Sequence, residues 1–160
     1  MKRIALLVLA LAANVIADEE KDIQQVAMHF ETDVQTVKEC LNEANMTVKQ
    51  MHIAKQKWAE IIKDDEEIDE ETKESFMPFG SFTACMLEKK DLMHDGKLVL
   101  DNILEALDKD QNNSERISKE VVTECVNSLN ENDKMIKIGK EYRAMGFLVC
   151  ISRSLVESDT

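Results

Sequence analysis

The chain predicts an all-α fold: one compact domain of six or seven helices around an internal apolar cavity, stapled by two disulfides. Three observations carry that prediction. Four Gly and one Pro among 160 residues leave little turn chemistry for a sheet-rich fold, and the remainder is dominated by Lys, Glu, Leu, Met, Ala and Ile, good or tolerable helix formers. Apolar residues recur at helical spacing almost everywhere. Four cysteines, Cys40, Cys85, Cys125 and Cys150, follow a start that reads as an export signal.

That start is residues 1–17. Lys2 and Arg3 precede an apolar stretch from Ile4 to Ile16, and Val15-Ile16-Ala17 offers a small-residue exit for signal peptidase. The stretch is too short and wrongly flanked for a membrane span. Cleavage would leave residues 18–160, enough for one helical domain with a real core. Residues 1–17 carry two basic and no acidic side chains, so the formal charge moves from −12 to −14 on their removal. So anionic a surface repels nucleic acid and acidic membranes, and it keeps a secreted, extracellular protein soluble.

Along the chain, Ile23, Val26, Ala27 and Phe30 make a first short stripe. Thr32 followed by Gln35 has the spacing of a capping box and restarts the helix. Val34, Val37, Cys40, Leu41 and Ala44 then share one face, and Met51, Ala54, Trp58, Ile61 and Ile62 form the next stripe. The charged run from Lys63 to Glu71, interrupted only by Ile68, reads as a solvated connection or a polar helix start. Pro78 and Gly80 break the pattern before a helix carrying Phe82, Cys85, Met86 and Lys89. His94-Asp95-Gly96 is a turn signal. Leu100, Ile103, Leu104 and Leu107 give a further helix, ended by Asp110 to Asn113. Ser114 is the expected N-cap of a helix with Ile117, Val121, Val122, Cys125 and Leu129 inward. Asp133 would cap the last and longest helix, from about Lys134 to Leu155. Its stretch from Ala144 to Ile151 is apolar on all sides, which places Phe147 and Cys150 in the core.

Intervals of 44, 39 and 24 residues separate successive cysteines. A structural zinc site needs at least one close pair, and none exists. An even set in an exported chain argues against a free catalytic thiol. Two disulfides remain, each clipping one helix to another, and the spacing alone leaves all three pairings open.

A secreted, acidic, helical chain of this length with widely spaced inward cysteines resembles the insect odorant-binding family. That family normally has six cysteines, with three residues between the second and third and eight between the fifth and sixth. Cys40 matches the first position, Cys85 the third, Cys125 the fourth and Cys150 the sixth. The second position holds Ser81 and the fifth Glu141. Those two positions are partners of one disulfide in the family, and their joint loss marks its Minus-C subgroup. The resemblance spans Ile23 to Leu155 and implies the pairs Cys40–Cys85 and Cys125–Cys150, loops whose closure contributes about 3–4 kcal/mol each. It also implies looser tethering between the helices that carry Ser81 and Glu141, and so a more adaptable pocket.

No catalytic constellation is present. His29, His52 and His94 are scattered, and no nucleophile elbow, zinc-protease motif or phosphate loop occurs. Asp108-Lys109-Asp110-Gln111-Asn112 begins like a calcium loop, but Asn113 stands where Gly is needed and Lys119 where the closing Glu belongs. It reads as a solvated acidic turn. Asn45-Met46-Thr47 and Asn112-Asn113-Ser114 are glycosylation sequons, making Asn45 and Asn112 candidate acceptors.

The apolar inventory is more suggestive. Nine Met accompany seven aromatics. Met is flexible and polarizable, suited to guests of varied shape, although any single Met is more often a core filler. The candidate cavity lining is Trp58, Phe76, Phe82, Met86, Leu104, Val122, Met135, Tyr142, Met145 and Phe147, with Met93 beside them. His52, Thr83 and Tyr142 are candidate polar anchors. The expected activity is that of a non-enzymatic carrier needing no cofactor, which reversibly buries odorants, pheromones or other lipophiles. A receptor is its expected transient partner, with no nucleic acid and no stable membrane association. The rival reading is a cytokine-like helical ligand acting through its surface, which would have a filled core.

Overall fold

The computed structural model describes residues 19–63, 68–109, 117–132 and 139–158. Within them the chain forms α1 (residues 19–29), α2 (Val34–Glu43), α3 (Val48–Lys63), α4 (Glu70–Ser75) and α5 (Met77–Lys89). A hairpin of β1 (Met93–His94) and β2 (Lys97–Leu98) follows, then α6 (Leu100–Lys109), α7 (Lys119–Glu131) and α8 (Lys140–Ser158). The expected signal segment, the loop after Lys109 with Ser114 and Asn112, and the stretch with Asp133 and Met135 all lie outside the described residues.

The helix starts follow side-chain chemistry closely. Asp33, not Thr32, caps α2: its Oδ1 accepts the Thr36 N–H at 2.7 Å. A carboxylate is a capping acceptor at least as good as a hydroxyl, and here it lies one residue nearer the apolar stripe. The reciprocal box that the sequence placed at Thr32 belongs instead to Thr47 and Gln50, which exchange bonds of 2.9 and 3.1 Å at the start of α3. Ser118, whose Oγ accepts from Val121 N at 3.2 Å, caps α7.

The eighth helix beyond the six or seven expected is α4, which the acidic run supplies. Asp69 caps it, Glu70 and Glu71 occupy its first turn, and none of its side chains is buried. The Glu pair suits the positive end of the helix dipole. Pro78 does not break the chain as expected. It sits in the first turn of α5, where its missing N–H costs nothing, and Gly80 lies inside the helix. The turn signal holds: Asp95 and Gly96 both take positive φ, 49° and 73°, and close the hairpin that pairs Met93 with Leu98.

Buried residues form two clusters, and α5 and α8 supply both. Phe82, Met86 and Met145 join Val37, Cys40 and Trp58 in one. Ala84 and Ala144 join Ile103, Val122 and Val126 in the other. At the α5–α8 crossing a Cβ on Gly80 would stand 2.9 Å from the Glu141 carbonyl oxygen and from Met145 Cγ and Sδ. The helices approach this closely because residue 80 has no side chain. The disulfides fasten the flanking helices to that pair: Cys40–Cys85 ties α2 to α5, and Cys125–Cys150 ties α7 to α8.

Arg143 of α8 completes the frame. Only 3 % exposed, it donates from Nε to the Leu129 carbonyl near the end of α7 and from Nη1 to the Gly96 carbonyl. Asn130 meets both backbone groups of Leu98, at 3.0 and 2.8 Å, as a neighbouring strand would. Gly80→Ala should lower stability by about 1–2 kcal/mol in urea unfolding, because overpacking against a fixed carbonyl outweighs the gain in helix propensity.

Candidate functional site

One face of α8 carries a stripe at helical spacing: Tyr142, Met145, Gly146, Val149, Cys150, Arg153 and Ser154. Facing it across a half-open cavity of about 540 Å³ are Trp58 of α3, Ile68, and Glu70 and Lys73 of α4. The wall is mostly apolar. Polar groups gather at α4 and at the far end of the stripe, where Ser154 Oγ is turned back onto the Cys150 carbonyl at 2.9 Å. Glu70 and Lys73 form an ion pair of 2.8 Å across one turn.

Trp58 is the wall's largest side chain and only 6 % exposed. Phe76 meets it edge-on, with ring centroids 5.0 Å apart and an interplanar angle of 66°. The indole Nε1 is buried and has no hydrogen-bond partner among the described residues.

Of the lining expected from sequence, Trp58, Tyr142 and Met145 border the cavity. Phe76 stands behind Trp58. Phe82, Met86 and Val122 are packed away at 1–2 % exposure and do not border the cavity, while Leu104 and Phe147 are half-buried against the second cluster. Met93 is buried in that same cluster. Phe147 and Cys150 are half-buried, not fully interior: Cys150 borders the opening, and Phe147 lies at the edge of the second cluster. Thr83 is satisfied inside its own helix, donating to the Phe79 carbonyl at 2.8 Å, and His52 is not part of the wall.

Gly146, Val149 and Arg153 also border the cavity and were not expected there, although helical spacing from Tyr142 along α8 points to them. Ile68, Glu70 and Lys73 carried no such signal, since a charged run reads as solvated.

A second hollow of about 300 Å³, between the α2–α3 turn and the start of α5, includes Asn45. Asn45 is exposed in a left-handed turn, φ 52°, as an accessible sequon requires. Among the described residues no cluster of His, Cys, Asp or Glu is suited to a metal, and no helix is long and apolar enough to cross a membrane.

The described residues thus form a helical domain pinned by two disulfides beside an apolar cleft. Residues 24–154 match the family model of the PBP/GOBP family. The chain belongs to that family, the insect pheromone- and odorant-binding proteins, and its four cysteines fit the Minus-C subgroup. Members are carrier proteins and not enzymes. No curated protein and no solved structure gives a significant match to the chain.

The α4 wall depends on its cap. The Thr72 N–H, 2.7 Å from Asp69 Oδ1, holds that carboxyl below its usual range, with Lys73 adding a smaller pull the same way. A lowered carboxyl contributes its stabilisation fully above the unfolded value, about pH 4, and loses it as pH falls through the folded one. Amide protection in α4 should therefore hold from neutrality to about pH 5 and fall at more acid pH. Asp69→Ala should remove that protection at neutral pH in hydrogen-exchange measurements, whereas Asp69→Asn, an equally good cap, should keep it.

Proposed function

We propose that the chain is a secreted carrier, exported through residues 1–17 and mature from Asp18, that reversibly binds small lipophiles in an extracellular fluid. The cavity between α3, α4 and α8 carries this reading. At about 540 Å³ it falls within the range of small-molecule sites, and its apolar wall with a few polar groups has their usual make-up. Family membership points the same way. Solubilisation is the whole mechanism: apolar area leaving water contributes about 25 cal/mol per Å² before ordering costs, so no bond chemistry is needed.

Reversibility follows from how the walls are built. The α8 side is anchored by a disulfide, a buried Arg and the α5 crossing. The α4 side is six residues with no buried side chain, held by a cap. Guests would enter and leave by displacing α4. Trp58, Tyr142, Met145 and Val149 form the seat.

N-phenylnaphthylamine should bind at micromolar concentration with enhanced fluorescence, and longer apolar molecules should displace it. Val149→Trp, which fills the cavity from α8, should weaken the probe at least about tenfold without unfolding the protein. Retained affinity in that variant would place the site elsewhere, and no probe uptake by the native protein would end the carrier reading. Ser81→Cys with Glu141→Cys, restoring the absent bridge, should slow hydrogen exchange in α5 and α8 and narrow the range of accepted guests.

A further inference from the structure

We infer that the cavity selects lipophiles bearing a hydrogen-bond acceptor, and that the indole N–H of Trp58 reads that acceptor. This rests on the carrier reading above and adds the chemical class of the guest. A buried indole N–H normally has a partner, because it can only donate and pays its desolvation in full otherwise. Trp58 Nε1 has none among the described residues, although the ring is 6 % exposed and borders the cavity. Its aromatic neighbour Phe76 brings no oxygen or nitrogen lone pair.

The wall's own acceptors do not answer it: the Tyr142 and Ser154 hydroxyls can accept, but neither is bonded to Nε1. Lys73 and Arg153 are donor-only side chains. Glu70 faces outward, 81 % exposed, and is engaged with Lys73. The indole N–H thus stays unbonded beside an apolar cavity, and an oxygen carried in by the guest would answer it. Nε1 is shielded from water, so the guest reaches it by a small shift of the ring, which the flexible thioether of Met145 on the same wall can accommodate. A carbonyl, an ester or a carboxylate supplies this chemistry; a hydrocarbon does not.

The test compares a long-chain methyl ketone, the carboxylic acid of the same chain length and the matching alkane as displacers of N-phenylnaphthylamine from the native protein and from Trp58→Phe. Water solvates the ketone better than the alkane, so the hydrophobic effect alone favours the alkane. The expected result is a ketone at least as tight as the alkane in the native protein. Trp58→Phe should weaken the ketone about tenfold more than it weakens the alkane. A stronger response to the acid than to the ketone would assign the acceptor as a carboxylate assisted by the nearby cations. Alkane and ketone losing affinity equally in the variant, or a ketone unaffected by it, would overturn the inference and leave the carrier standing. Failure of every guest to displace the probe would overturn both.

Trp58 is the chain's single tryptophan, so the native protein gives one indole cross-peak in a proton–nitrogen correlation spectrum. The ketone should move its proton downfield and the alkane should not. That reading needs no variant. An unmoved peak at saturating ketone would overturn the assignment by itself.

Discussion

The structure depends on the close approach of α5 and α8 at Gly80. A single missing side chain lets the Glu141 carbonyl come within 2.9 Å of where a Cβ would stand. Ala84 and Ala144, both fully buried, keep small residues on the same two helices. Each helix then feeds both buried clusters, so the core is two halves sharing a spine. The disulfides act on this spine from opposite sides, holding α2 on α5 and α7 on α8. In the Minus-C pattern the bridge that would join positions 81 and 141 is absent, and tight packing around Gly80 stands in its place.

The cavity is a consequence of that arrangement. Once α8 is pinned to α5 and α7, the opposite stripe of α8 has only α3 and short α4 to face it. Gly146 lets α8 settle against Leu129 of α7, since a Cβ there would meet Leu129 Cδ2 at 2.7 Å. The space thereby left on the other side is bounded by an aromatic, a thioether and a small β-branched residue. The hollow thus has one braced wall and one thin wall.

Most of the helices were legible because apolar spacing survives without knowledge of the neighbours. Their ends were less so. Thr32 and Asp33 are both capping residues one position apart, and only backbone geometry decides between them. The acidic run from residue 63 left α4 as one of two readings, a polar helix start beside a solvated connection, because a helix held by its cap and buried nowhere leaves no apolar signature. The cavity lining was legible only in part, and the reason is physical. Large aromatic and Met side chains mark a core and a binding wall alike, so residue type drew in Phe82 and Met86, which are packed solid. Which stripe of α8 looks into open space is set by the Gly80 crossing, a tertiary fact. Cysteine pairing came through resemblance to a family pattern, and the spacing by itself left it open.

Cys150 belongs to the cavity wall as well as to a crosslink. The bond that closes the loop between α7 and α8 therefore also finishes the chamber, and the two events cannot be separated. With that sulfur still a thiol, α8 is not covalently fastened to α7 along the cavity wall. Completion of that wall is then coupled to oxidation of the Cys125–Cys150 pair.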